Sequence, residues 1–449
     1  MAKEASLSVL LSFRAQNVRS FRDEVELSLL ATRIADEDVR RDIEIAGTAK
    51  PVQVLPTAGI FGGNASGKSR LLHVMADMRR LVLTSFRRGD RTTRLDRQPF
   101  LLDERSRSAP SEFHIDIVLN GVRWQYGFEI GDDSVHGEYA YYLPRGRRAT
   151  VFEREDSNLR FGPSFRAGGR ALATLVRDNS LLLSVAGAAD DKALTPLFRW
   201  FVDNLRLAEE SSRPARAMYT AKMLESPADR NRVLALLRAA DLGITDARVA
   251  SSELDPDARD LFSRAFRILA GNDGESDSDE PALVVNETVR LTHEGVSASV
   301  EVDPEDESKG TLVWVGLIGP VLEALDGGRV LLADELDASL HPHLVQQLIE
   351  LFQSNRSNSR CAQLVFNAHD VSVLGDSKRR ALGRDQIWFT EKGPGGATSM
   401  YPLSAFGPRH DQALERRYLQ GRYGGVPALN SGEFEQAVQR APASTLSLG

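Results

Sequence analysis

The stretch Gly59-Ile60-Phe61-Gly62-Gly63-Asn64-Ala65-Ser66-Gly67-Lys68-Ser69 decides how this chain is read. From Gly62 to Ser69 it carries the complete phosphate-loop pattern. A loop made of Gly62, Gly63, Asn64, Ala65, Ser66 and Gly67 turns successive backbone N–H groups inward around a phosphate, and the helix that follows adds its positive end. Lys68 has the reach for the β- and γ-phosphates, and the Ser69 hydroxyl suits Mg²⁺. The flanks agree. The apolar run from Pro51 to Phe61 reads as a strand, and Arg70 to Met75 opens a helix running to about residue 86. Strand, loop and helix in that order predict a bound nucleoside triphosphate.

A second strand completes the chemistry. Val330-Leu331-Leu332-Ala333 delivers Asp334 and Glu335 at its C-terminal end. Asp334 is the expected metal-side acid, and Glu335 the group that orients or deprotonates water. After Leu336-Asp337-Ala338-Ser339-Leu340-His341-Pro342 comes a helix, then the apolar strand Gln363 to Phe366 ending at Asn367-Ala368-His369-Asp370. A parallel sheet brings such strand ends against the ligand, which makes His369 a candidate γ-phosphate sensor. Upstream, Ser308-Lys309-Gly310-Thr311 opens the helix from 312 to 325. Ser308 there reads either as a helix cap or as part of an anion site.

Around these pieces, residues 8–15 and 24–31 read as strands. Asn120-Gly121 between two alternating runs predicts a hairpin in an antiparallel sheet, with further strands at 139–143 and 150–154. Residues 170–250 carry apolar faces at helical spacing. The acidic run 271–280 reads as a disordered loop. The expected division is 1–165, the phosphate loop with an antiparallel β-subdomain; 166–290, a mainly helical insert; 291–405, the second half of the nucleotide domain; and 406–449, a tail.

With 449 residues, 42% hydrophobic and 27% charged, the chain is ordinary for a soluble multi-part protein. The net charge of −7 argues against a surface that grips nucleic acid everywhere, but allows a local patch. Arg79, Arg80, Arg87, Arg88, Arg91, Arg94 and Arg97 form either such a patch or a solvated surface. The single Cys361 excludes an intrachain disulfide and a multi-cysteine metal site. No apolar run approaches the roughly 20 residues that span a bilayer, and the first residues show no signal pattern, so a cytoplasmic protein without a membrane partner is expected.

Taken together, these residues resemble the ABC-type ATPase heads of the SMC and RecF group, and in particular the AAA-type ATPases of bacterial defence and abortive-infection loci, relatives of the OLD family. The similarity rests on Asn17 to Phe21, residues 62–69, residues 308–311, residues 334–342, Ala368-His369-Asp370 and the tail 418–427. It implies an α/β ABC-type head with a parallel P-loop core sheet, an antiparallel β-subdomain and a helical insert. It further implies a homodimer that traps two ATP with Mg²⁺. Ser308 and Gly310 of one copy would cap the γ-phosphate held by the other, His341 would face the partner, and Gln98 would link Mg²⁺ to the insert. Two departures matter: Lys309 stands between Ser308 and Gly310, and no long coiled coil occupies residues 166–300.

Two functional expectations follow. The first is a slow ATPase switch or scaffold controlling a separate effector, such as a toprim-like or other nuclease, in anti-phage defence. In it the tail from Arg409 to Pro427 serves either as a docking segment or as packing. The alternative is a RecF-like repair ATPase that binds duplex DNA directly, drawing on the arginines from 79 to 97 and on Arg145, Arg147 and Arg148. A transporter subunit fits poorly with the acidic run and His341-Pro342.

Overall fold

The computed structural model describes residues 8–87, 90, 92–253, 285–375 and 380–426. The acidic run 271–280, Arg88, Arg91 and the chain from 427 onward lie outside the described residues.

Thr57–Gly62, Val330–Ala333 and Gln363–Asn367 are near-continuous apolar runs, the mark of strands buried on both faces. They lie side by side in a six-stranded sheet ordered Arg206–Ala208, Val330–Ala333, Gln363–Asn367, Thr57–Gly62, Ile387–Lys392, Thr398–Pro402. The first five are parallel, and Thr398–Pro402 closes the edge antiparallel. Successive side chains feed opposite cores. Ala58, Ile60, Leu332 and Val365 enter one, while Phe61, Leu331, Leu364 and Phe366 enter the other.

The first core lies between this sheet, the helix Lys68–Thr84 and a seven-stranded antiparallel sheet. The hairpin forms as expected: Ser111–Leu119 pairs with Val122–Ile130 through Asn120 (φ 55°) and Gly121 (φ 72°), both left-handed as a type I′ turn requires. Its neighbours Ser8–Gln16, Val135–Leu143 and Ala149–Glu155 extend the sheet.

The second core is built on the helix Lys309–Gly327, which packs along Arg213–Glu225. Lys309–Gly327 is long and apolar enough to cross a membrane by composition, although the sequence showed no such run. Here its apolar residues, Val313 to Leu325, are spent in the core. Pro320 inside it donates no N–H to the Gly316 carbonyl, and the Arg216 guanidinium donates to that carbonyl instead at 3.0 Å.

Three expectations change. The run from Pro51 to Phe61 is two strands, Val52–Val54 and Thr57–Gly62, because Pro56 fixes its backbone and offers no donor to a ladder. Residues 170–250 are mostly helical, but Arg206–Ala208 forms the sheet edge, where three residues are too few to show a period, and a further strand begins at Ile244. Ile244–Glu253, Val285–His293 and Val300–Val302 form a three-stranded sheet beside the helices.

Candidate functional site

Because the parallel strands run the same way, their C-terminal ends share one edge. A cavity of about 490 Å³ opens there, lined by Asn64 to Arg70, Asp334, Glu335 and His369, with Ser20, His73 and Lys392.

The phosphate loop is braced from behind. Ser66 Oγ lies 2.7 Å from Thr390 Oγ1, and the Thr398 hydroxyl donates to Ser66 O at 3.0 Å. Ser20 Oγ lies 2.9 Å from the same Thr398 hydroxyl. Gly67 adopts φ 108°, and a methyl there would stand 2.4 Å from Thr398 Oγ1, so both the backbone and the space demand glycine. Lys68 is buried and donates to Gly62 O (2.7 Å) and Gly63 O (3.1 Å), acceptors that a phosphate would replace. Burial pulls its ammonium below the ordinary value, against the opposing carboxylates Asp337, Glu335 and Asp334.

Asn367 joins the two halves of the site. Its amide donates to Asp334 Oδ1 at 2.5 Å and to Ser69 Oγ at 3.3 Å, while its Oδ1 accepts the Glu335 N–H at 2.7 Å. Glu335 is thereby held at φ 50°, a left-handed backbone that side chains rarely adopt; such strain clusters at functional sites. The Glu335 and His369 side chains, both about half exposed, face each other with 3.9 Å between Oε1 and Nε2. Asp337 Oδ2 fixes the next turn by accepting the N–H groups of His369 (2.8 Å) and Asp370 (2.6 Å). Oxygen donors at Ser69 and Asp334 beside a phosphate loop suit Mg²⁺, a hard cation.

Ser308 and Gly310 do not line this cavity. Ser308 caps Lys309–Gly327, its Oγ accepting the Thr311 N–H at 3.1 Å, and it is exposed. A side chain at Gly310 would meet Ser339 O at 2.5 Å, so the helix start lies tight against the turn after Glu335. His341 is exposed and caps the helix Pro342–Gln353. Gln98 is also exposed and outside the cavity lining; its carbonyl accepts the Arg19 N–H at 2.7 Å.

The arginine run is largely engaged within the chain. Arg80 pairs with Asp77 and Asp96, Arg94 with Asp133, and Arg97 with Asp132, while Arg79 donates to Val202 O. The tail packs on the sheet: Tyr418 and Tyr423 are buried and stack on Phe389.

Sequence reasoning missed Asn367, His73, Glu209 and Lys392. Asn367 and Lys392 end core strands, which was the available signal. His73 follows Ser69 by one helical turn, so spacing placed it on the same face. For Glu209 no sequence signal exists, since it follows a strand of three residues.

A family model described as "AAA domain, putative AbiEii toxin, Type IV TA system" matches residues 58–375. Among solved structures, the chain is similar to an SMC head bound to the C-winged helix domain of ScpA. That match has 12% identity and a TM-score of 0.43, over 91% of this chain and 99% of that one. It is also similar to the SMC head domain from Thermotoga maritima, with 12% identity and a TM-score of 0.39, over 88% and 98%. A third is the Smc head with an extended coiled coil bound to the C-terminal domain of ScpA, derived from Pyrococcus furiosus, with 11% identity and a TM-score of 0.38, over 89% and 98%. No curated protein matches the chain.

Proposed function

We propose a function from one premise: the chain belongs to the AAA-domain family whose model spans residues 58–375, an ATPase family. Two copies close around two ATP, and slow hydrolysis opens them again. The observation that carries this reading is that Lys68, Ser69, Asp334, Glu335 and His369 line one cavity although 301 positions separate Lys68 from His369 (369 − 68).

In this reading the loop N–H groups and Lys68 hold the phosphates, Lys68 exchanging its two loop carbonyls for phosphate oxygens. Ser69 and Asp334 would hold Mg²⁺, whose charge would offset that of the phosphates. Glu335 takes a proton from the attacking water as its oxygen bonds to the γ-phosphorus and the bond to the ADP oxygen breaks. His369 contacts the γ-phosphate. Ser308 and Gly310 act on the partner copy's nucleotide. That assignment is supported by the exposure of Ser308 and by the absence of both residues from their own chain's cavity lining. Because ATP touches both copies, it favours the closed state by its differential affinity.

The switch controls a separate effector, a nuclease, in a cytoplasmic defence setting; the toxin–antitoxin wording of the family description supports the defence role. Direct duplex binding is the weaker reading, because Arg79, Arg80, Arg94 and Arg97 already have partners in the chain.

Glu335→Gln tests the reading. The variant should bind ATP, hydrolyse it at least about a hundredfold more slowly, and accumulate dimer in sedimentation. Hydrolysis at the parent rate would remove Glu335 as the water-activating group.

A further inference from the structure

Beside the phosphate loop, His73, Glu209 and Asp334 bring one ligand atom each within 4.8 Å of one another. They come from three separate elements: the helix Lys68–Thr84, the turn after Arg206–Ala208, and the end of Val330–Ala333. The proposed nucleotide chemistry uses only Asp334 of the three.

The hydrogen bonding fixes which atoms face the centre. His73 Nδ1 lies 2.6 Å from Ser69 O. A carbonyl only accepts, so Nδ1 carries the hydrogen and Nε2 points the other way. Nε2 meets Glu209 Oε2 at 3.0 Å. With neutral imidazole these are two acceptors in contact, which only a proton or a cation between them resolves. Asp334 favours the cation, because it brings a third ligand atom within 4.8 Å of the other two, one more than a shared proton can use.

Each of the three groups is also oriented by a second partner. Ser69 O holds His73, the Ser211 hydroxyl donates to Glu209 Oε1 at 2.7 Å, and Asn367 donates to Asp334 Oδ1. Metal-bound imidazoles and carboxylates are held in this manner, with a backbone carbonyl on the far ring nitrogen. One imidazole with two carboxylates suits a divalent transition ion such as Mn²⁺ better than Mg²⁺, which takes oxygen donors and water.

We propose that His73, Glu209 and Asp334 form a binding site for a divalent transition-metal ion in the nucleotide-free protein. The site adjoins the position of the nucleotide's Mg²⁺ and shares Asp334 with it. It does not depend on the adjoining cavity hydrolysing ATP.

The test uses the full-length protein, Mn²⁺ alone and no nucleotide. Loss of the free-ion signal in electron paramagnetic resonance should report one Mn²⁺ per chain, with Mg²⁺ competing at least about tenfold more weakly. His73→Gln and Glu209→Gln should each weaken Mn²⁺ by about tenfold or more. No Mn²⁺ bound to the parent protein, or parent-like affinity in both folded variants, overturns the site. A measurement on the parent protein alone guards against variants that fail to fold: spin-echo modulation should contain a ¹⁴N coupling from the imidazole. Mn²⁺ bound without that coupling overturns His73 as a ligand. Retained ATP binding by a protein that takes up no Mn²⁺ would leave the proposed ATPase function standing and remove this site alone.

Discussion

Asn367 Nδ2 donates to Asp334 Oδ1 at 2.5 Å, so the strand that carries the metal-side acid is locked to its neighbour at the mouth of the site. The same residue accepts the Glu335 N–H and reaches Ser69 Oγ. It is fully buried. Asn367→Ala therefore leaves the Glu335 N–H without its acceptor and frees Asp334 to move. The expected cost is about 1–3 kcal/mol of stability, read as a lower melting temperature. Hydrolysis should fall about tenfold or more, because displaced catalytic groups lose rate steeply. A variant that melts lower but hydrolyses like the parent would restrict Asn367 to a structural role.

Asn367 also shows where sequence reading reaches and where it stops. The apolar runs at 330–333 and 363–367 could be read as parallel strands because burial on both faces removes polar residues from them. Lys68, Asp334 and Glu335 were legible for the same reason, since each sits where a core strand or its loop meets solvent. Glu209 was not legible. It is placed by a three-residue strand that exists only because Arg206–Ala208 docks beside Val330–Ala333. No local period encodes such an edge. The split at Pro56 was legible in principle, because proline interrupts a ladder whatever the hydrophobicity around it. The apolar helix Lys309–Gly327 escaped notice as a long run because Pro320 and four glycines dilute it in sequence, while tertiary packing still buries it.

Ser308 caps its helix and is exposed, which separates two roles that one substitution can distinguish. Ser308→Arg should cost the cap, about 0.5–2 kcal/mol, and leave ATP binding to the isolated chain unchanged. It should abolish ATP-dependent dimers in sedimentation, because a guanidinium then fills the space meant for the partner's phosphate. Dimers that persist with ATP in this variant would falsify the trans-capping role.

Glu138 ties the antiparallel sheet to the helix Leu182–Ala188. Its carboxyl accepts the N–H groups of Leu182 (2.6 Å) and Leu183 (3.0 Å) and the Tyr126 hydroxyl (2.9 Å), all buried. Glu138→Ala should cost about 1–3 kcal/mol for each buried donor left without an acceptor. Complete burial pushes the Glu138 carboxyl above its ordinary range, with Arg154 acting against that. A raised folded value gives a stabilising contribution that is full below the unfolded value and lost as pH rises through the folded one. Glu138→Gln should remove that component, so its denaturant midpoint should change less than the parent's between acid and neutral pH. Parallel pH curves for the two proteins would show that the group does not titrate differently on folding.

The tail is a structural part of the head as far as residue 426. Tyr418 stacks on Phe389 with centroids 5.2 Å apart and planes 7° from parallel, and its hydroxyl donates to Gly425 O at 3.0 Å. A methyl at Gly425 would stand 3.3 Å from Thr390 O and 3.6 Å from Gly62 Cα, so the segment lies against the strand that enters the phosphate loop. Tyr418→Ala opens a cavity beneath that contact. It should cost about 3–5 kcal/mol, by analogy with other large aromatic truncations, and should weaken ATP binding by loosening the support behind Gly62. Tyr418→Phe keeps the stack and loses one hydrogen bond, about 0.5–1.5 kcal/mol. Thermal unfolding with and without ATP separates the two variants. If Tyr418→Ala melted with the parent, residues 414–426 would not support the head, and the alternative that they are held ready for a partner protein would become the better account of the tail.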